Sequence, residues 1–152
     1  MNLTIKETPC EQIPVSLLLE ADPSEEKIHG YLNHSIGFTA RADDQIVAAC
    51  LIIPVEDSIY ELINIAVEPE QQGKGIGRKL LAEVISAAKA LGASKLILGT
   101  GTFGHQLTFY QRAGFRAVSV DRDFFLTHYQ QPIIENGIQH KDMLRLELDF
   151  EQ

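Results

Sequence analysis

Val67-Glu68-Pro69-Glu70-Gln71-Gln72-Gly73-Lys74-Gly75-Ile76-Gly77-Arg78 is the stretch whose reading decides the fold. It follows an apolar run, Ser58–Val67, that reads as a strand. It opens a long amphipathic helix over Gly75–Leu91, in which Ile76, Leu80, Leu81, Val84, Ile85, Ala88 and Leu91 recur at helical spacing. Gly92 supplies the stop, and Lys95–Gly99 reads as a short buried strand. A helix between two strands implies a parallel crossover. Gly73, Gly75 and Gly77 alternate at the strand-to-helix turn, where glycine admits positive φ and lets a ligand approach the backbone. The first N–H groups of a helix lack internal partners and sit at the positive end of its dipole, so such a turn suits a phosphate. Lys74 and Arg78 would add charge. A plain strand–helix turn is the other reading.

Two familiar phosphate loops fail on spacing. A P-loop needs four residues between its first Gly and Gly-Lys-Ser/Thr, and that sequence is absent. The dinucleotide fingerprint needs Gly-x-Gly-x-x-Gly, and Leu80 stands where its third glycine belongs.

Outward from the loop, Asn2–Glu7 reads as a strand and Cys10–Ala21 as a helix with Pro14 in its first turn. Asp22-Pro23-Ser24-Glu25 reads as the start of a helix running to Leu32, with Asp22 as cap and Pro23 at the first helical position. Strands follow at Gly37–Ala42 and Gln45–Val55, joined by an Asp43-Asp44 turn. The run Ile46–Ile53 is apolar on both faces, as in a central strand. His105–Ala113 reads as a short helix stopped by Gly114, and Phe115–Val120 as a strand. Asn136-Gly137 between apolar residues signals a tight hairpin. Leu144–Phe150 alternates strictly, as in a half-buried strand, and the strands outside the crossover read as hairpins. The expected class is α/β or α+β with a mixed sheet.

The chain has 152 residues, which suits a single domain, 1–152, with 45% hydrophobic residues for a core. A net charge of −8 opposes bulk phosphate contacts, so no nucleic-acid partner is expected; the acidity either favours a cationic partner such as an amine or only keeps the protein soluble. Cys10 and Cys50 lie far apart and make neither a disulfide framework nor a metal pair, so no metal is expected. Free thiols suggest a reducing compartment, and the N-terminus has no signal-peptide pattern. No apolar run reaches membrane length. The expectation is a cytoplasmic protein with no membrane partner; a homodimer stays open.

Gln72-x-x-Gly75-x-Gly77 after Asn64-Ile65-Ala66-Val67-x-Pro69 resembles motif A of the GNAT superfamily of N-acetyltransferases. Phe109-Tyr110-Gln111-Arg112-Ala113-Gly114-Phe115 resembles its motif B. These cover roughly Gln45–Val120. The stretches Glu20-Ala21-Asp22-Pro23-Ser24 and Pro132–Met143 resemble a YvbK-like bacterial group and extend the likeness over nearly the whole chain. The resemblance implies a mostly antiparallel mixed sheet with a splayed parallel strand pair and helices on both faces. It also implies acetyl-CoA as cosubstrate, with Gln72, Gly73, Lys74, Gly75, Ile76, Gly77 and Arg78 around the pyrophosphate. Pantetheine would lie against the backbone of Ile65, Ala66 and Val67, beside a bulge near Asn64-Ile65, with the Val67 N–H facing the thioester oxygen.

The resemblance further implies direct attack by an amine acceptor, a small molecule or a peptide. Tyr110 matches the family tyrosine that acts on the thioester sulfur; a core aromatic is the other reading. Glu61, six residues before Val67, stands where several members place a general base, and equally suits a solvated strand carboxylate. His105 is a second candidate base; a structural His at a helix start is the other reading. Many members carry an Asn seven residues before the motif B Tyr; here Phe103 stands there, with Thr100, Thr102 or Gln106 as replacements. The hairpin segment is either a structural arm or a wall of the acceptor site. A coenzyme A sensor or interaction module without catalysis is the alternative function.

Overall fold

In the computed structural model, which describes residues 2–151, strands and helices follow in the order expected around the glycine loop. The strands are β1 (Leu3–Glu7), β2 (Ile36–Ala42), β3 (Gln45–Glu56), β4 (Ile59–Val67), β5 (Lys95–Gly101), β6 (Arg116–Asp121), β7 (Ile134–Glu135), β8 (Ile138–Gln139) and β9 (Met143–Asp149). The helices are α1 (Val15–Leu18), α2 (Glu25–Leu32), α3 (Ile76–Ala90), α4 (His105–Arg112) and α5 (Phe124–His128). Seven strands form one sheet in the order β1-β2-β3-β4-β5-β9-β6, and β7 and β8 form a separate hairpin. All pairs are antiparallel except β4 with β5, the crossover pair around α3.

β3 explains its own apolarity. Ala48, Cys50 and Ile52 pack into a core with α3 and Tyr110 of α4, while Ala49 and Leu51 pack into a second core with α1 and α2. The sheet is thus covered on both faces, as an apolar central strand requires. On α3, Ile76, Leu80, Leu81, Val84 and Ala88 are buried. Leu91 lies just past the helix and is 48% exposed, so the expected stripe ends one turn early.

Four local readings are corrected. Pro14 does not sit inside a helix: a 3-10 turn at Cys10–Gln12 precedes it, and it caps the four-residue α1. The cap of α2 is Ser24, whose Oγ accepts from the Lys27 N–H at 3.2 Å. Asp22 instead accepts from the Ser24 N–H at 3.1 Å, which frees its carboxylate for tertiary contacts. β5 runs two residues beyond Gly99, to Gly101. The C-terminal β9 inserts between β5 and β6, so these strands are not successive hairpins.

The turns follow their residues. Asp43 and Asp44 have φ of 51° and 70°, and Asn136 and Gly137 have φ of 54° and 76°; two consecutive positive values make the primed turns that match hairpin twist.

Candidate active site

The functional geometry starts from a defect in β4. Leu51 faces Asn64 across the β3–β4 ladder but Ile52 faces Leu62, so Ile63 is an extra residue, a bulge beside the expected Asn64-Ile65 position. The bulge breaks the alternation. Leu62 and Ile65 point into the α3 core, while Ile63 and Ala66 point to the α1–α2 side. Asn64 also turns to that side, where its Nδ2 donates to Leu18 O at 3.1 Å and to the Tyr31 hydroxyl at 3.0 Å.

The same strand parts from its parallel neighbour. β4 pairs with β5 only at Ile59↔Lys95, Tyr60↔Leu96 and Glu61↔Ile97. From Leu62 to Val67 the β5-facing backbone of β4 has no ladder, so its N–H and C=O groups on that edge lack a strand partner. The gap has the form of a slot for an extended chain.

The glycine loop lies at one end of this gap. Gly73 and Gly75 have φ of +79° and +81°, which residues with a Cβ adopt at a cost. The Lys79 N–H makes the first helical bond, to Gly75 O at 3.1 Å, so the N–H groups of Ile76, Gly77 and Arg78 precede the i−4 ladder. No acidic residue occupies the first turn of α3. Lys74 and Arg78 are exposed beside it. Gln72 Nε2 donates to Val67 O at 3.0 Å, pinning the loop to the end of β4. A methyl at residue 77 would lie 3.4 Å from Val67 Cγ2 and 3.7 Å from the Phe109 ring, so Gly77 lets α3, β4 and α4 meet closely. These groups fit a pyrophosphate: free N–H donors, flanking cations and no competing carboxylate.

Tyr110 of α4 lies in the core cluster that also holds Ile76 and Cys50. It is 4% exposed, with edge contacts to Phe109 at 5.2 Å and Phe115 at 5.8 Å between centroids. Burial pushes its hydroxyl pKa above the ordinary tyrosine value, so it stays protonated.

At the other end of the gap opens a cleft of about 970 Å³. Its lining includes Glu61 and Ile63 of β4, Asp22 and Tyr31 from the α1–α2 region, and Phe124, Tyr129 and Glu135 from the segment after β6. The Glu61 side chain is 20% exposed; burial raises its pKa, and the Arg145 guanidinium at 3.9 Å partly opposes that rise. The hairpin segment walls this cleft through Ile133, Ile134, Glu135 and His140.

Three features here were not read from the sequence. Asp22 accepts from the hydroxyls of Tyr31 at 2.9 Å and Tyr129 at 3.1 Å, tying the α1–α2 turn to the segment after α5. Burial raises both tyrosine pKa values, so both remain donors. Arg145 donates from Nε and Nη2 to one Asp121 oxygen, at 3.0 and 2.7 Å. Glu135 accepts from His140 Nε2 at 2.9 Å and from the His105 N–H and Nδ1 at 3.2 Å each. His105 is thereby engaged with Glu135, with its side chain 83% exposed. Phe103 stacks on His140 at 4.0 Å and 8°, so this site uses a ring where family members carry an Asn. Thr100 and Gln106 line the cleft; Thr102 does not. The one available signal was that Asp22 and Glu135 fall within the two stretches shared with the YvbK-like group.

A split parallel pair, a glycine-rich helix start at one end and a cleft at the other define an acyltransferase of the acetyl-CoA type. The chain belongs to the GNAT acetyltransferases: the family model for the acetyltransferase (GNAT) domain matches residues 33–117. A Bacillus subtilis (strain 168) protein named uncharacterized N-acetyltransferase YvbK is 44% identical over 135 residues, covering 88% of this chain and 87% of that one. The structure of a GNAT acetyltransferase from Elizabethkingia anophelis with acetyl-CoA bound superposes with a TM-score of 0.91 at 39% identity, over 98% of this chain and 99% of that one. An IAA acetyltransferase from Bacillus cereus ATCC 14579 gives 0.93 at 42% identity, over 98% and 100%. Among the described residues no cluster of His, Cys, Asp and Glu could hold a metal ion, and no helix is long and apolar enough to cross a membrane.

Proposed function

We propose that this enzyme transfers the acetyl group of acetyl-CoA to a primary amine by direct attack. The observation that carries the reading is the gap between β4 and β5, which joins the glycine loop to the cleft. Gln72 through Arg78 hold the pyrophosphate, and the Ile65, Ala66 and Val67 backbone holds the pantetheine arm. The Val67 N–H donates to the oxyanion that forms on attack.

An ammonium group of ordinary pKa near ~10.4 is about three units from deprotonation at neutral pH, a cost of about 4 kcal/mol. Glu61, which lines the cleft, takes that proton. Its burial raises its proton affinity, the direction a base needs. Tyr110 then protonates the departing thiolate; its burial keeps the proton in place until charge develops on sulfur. The acceptor enters between Asp22 and Glu135, whose carboxylates favour a cation, and meets the rings of Phe124, Phe125 and Tyr129.

The test is release of coenzyme A from acetyl-CoA with a panel of a peptide N-terminus, a polyamine, an aminoglycoside and aromatic amines. IAA, which stands in the name of the Bacillus cereus relative, belongs beside them. Acceptor-dependent release with an N-acetyl product supports the reading. Stabilisation by acetyl-CoA with no release for any acceptor would favour the sensor alternative.

A further inference from the structure

The strand alternation of β9 puts Arg145 on the cleft side of the sheet, and three contacts hold it there. Its Nε and Nη2 donate to Asp121 Oδ2 at 3.0 and 2.7 Å, a charge-assisted pair at the end of β6. Its guanidinium carbon lies 5.8 Å from the centroid of the Phe124 ring, at the start of α5. The remaining nitrogen, Nη1, is 3.9 Å from Glu61 Oε2. That distance is too long for a hydrogen bond, so Glu61 keeps its lone pairs for another donor while it feels the charge. Both side chains line the cleft, and both are shielded, at 32% and 20% exposure.

From this geometry we infer that Arg145 is a positioning residue for Glu61: clamped by Asp121 and Phe124, it sets the pH at which the carboxylate becomes able to take the acceptor's proton. The inference rests on the reading of Glu61 as base. Burial of the Glu61 carboxyl favours its protonated form, and a fixed cation beside it favours the charged form without blocking its lone pairs. Asp121 has two effects. It fixes the guanidinium, and its own charge limits how far Arg145 can pull Glu61 down.

The other charged groups near the cleft are engaged with partners of their own. On β9, Glu147 pairs with Lys95 of β5 at 3.2 Å. Asp22 is bonded to Tyr31, Tyr129 and the Ser24 N–H, and Glu135 to His105 and His140. Lys27 lies over the Tyr129 ring at 5.3 Å. On β3 the residue paired with Glu61 is Ile53, which carries no charge. Arg145 is the charged neighbour whose field moves Glu61.

The test is the pH dependence of turnover on an acceptor found in the panel, for the full chain and single variants. Glu61→Gln comes first and should abolish the acidic limb. If the limb persists there, the base reading fails and this inference with it. Arg145→Met keeps the stem and removes the charge; it should move the acidic limb upward by roughly one pH unit. Arg145→Lys should return the limb toward its original position. Asp121→Asn keeps an acceptor for the guanidinium and removes the neutralising charge, so it should move the limb downward. Melting with and without acetyl-CoA checks that each variant is folded and binds the donor. A limb lost in Glu61→Gln but unmoved in folded Arg145→Met and Asp121→Asn would overturn the role of Arg145 alone. Shifts of opposite sign in those two variants would support it, because a merely structural contact would not produce them.

Discussion

The Glu135 carboxylate accepts a hydrogen bond from the backbone N–H of His105 at 3.2 Å, across thirty residues of chain. Gly104, which precedes α4, has no side chain to cap the helix, and its φ of +106° leaves room for none: a Cβ there would collide with the Glu135 carboxyl. The cap of the helix that carries Tyr110 therefore comes from the β7–β8 hairpin, which also walls the cleft. One carboxylate thus joins a wall of the cleft to the motif B helix.

Glu135→Gln should lower stability by about 1 kcal/mol at neutral pH, the usual worth of a helix cap, or a few degrees of melting temperature. The His140 and His105 hydrogen bonds hold the Glu135 pKa below its ordinary value. A depressed carboxyl contributes stability above the unfolded-state pKa and loses it as pH falls through the folded-state pKa. The gap between wild type and variant should thus close on acidification below the usual carboxylate range. Thermal melts of both proteins from neutral to acid pH check this; a constant gap would show that the Glu135 charge is irrelevant.

Gly75→Glu should abolish stabilisation by acetyl-CoA. The substitution brings a carboxylate to the helix start, where Arg78 Nη2 lies 3.6 Å from the position of a Cβ, and it would engage the cation proposed to meet phosphate. The left-handed φ of +81° costs any L-residue about 1–2 kcal/mol, so Gly75→Ala serves as control for strain. Both variants should melt lower than wild type, and Gly75→Ala should keep more of the shift with acetyl-CoA. Equal shifts in wild type and Gly75→Glu would remove the phosphate-cradle argument.

Gly101→Ala tests the packing of the hairpin on β5. A Cβ at this position would overlap the His140 ring, which is 7% exposed and stacked on Phe103. The His140 ring cannot retreat without straining its bond to Glu135 at 2.9 Å. The cost should be about 1–3 kcal/mol, as for other overpacked sites, with a raised Michaelis constant for the acceptor and little change for acetyl-CoA. A melting temperature within a degree of wild type would mean that His140 moves freely.

What was legible in the sequence and what was not divides along one physical line. The glycine loop, α3 and the apolar β3 were legible because their signals are local: φ demands, helical period and apolarity on both faces. Asp22 was misread as a cap because a carboxylate before Pro23-Ser24 satisfies the local rule equally well, and only the fold reveals the Tyr31 and Tyr129 hydroxyls around it. Arg145 was visible as an outward position in L-R-L-E-L. Its relation to Asp121 and Glu61 depends on β9 entering between β5 and β6, an event with no local signature. The five-residue α5 was missed because Phe124-Phe125 suits strand or helix, and its cap residue, Asp123, makes no side-chain cap bond.

Tyr110→Phe separates the proposed acid from a core aromatic. The ring is buried against Phe109 and Phe115, and phenylalanine preserves both edge contacts, so the melting temperature should change little. The variant removes only the hydroxyl. General acid catalysis contributes roughly 10²–10⁴-fold, so turnover should fall at least about tenfold even with water as a partial substitute. The Michaelis constant for acetyl-CoA should move much less, because the hydroxyl acts mainly as charge develops on sulfur. Burial holds the phenol pKa above its ordinary value, so no basic limb from Tyr110 should appear below the ordinary tyrosine range, about pH 10. Turnover equal to wild type, measured where the chemical step limits the rate, would leave Tyr110 a packing residue and assign the thiolate's proton to water.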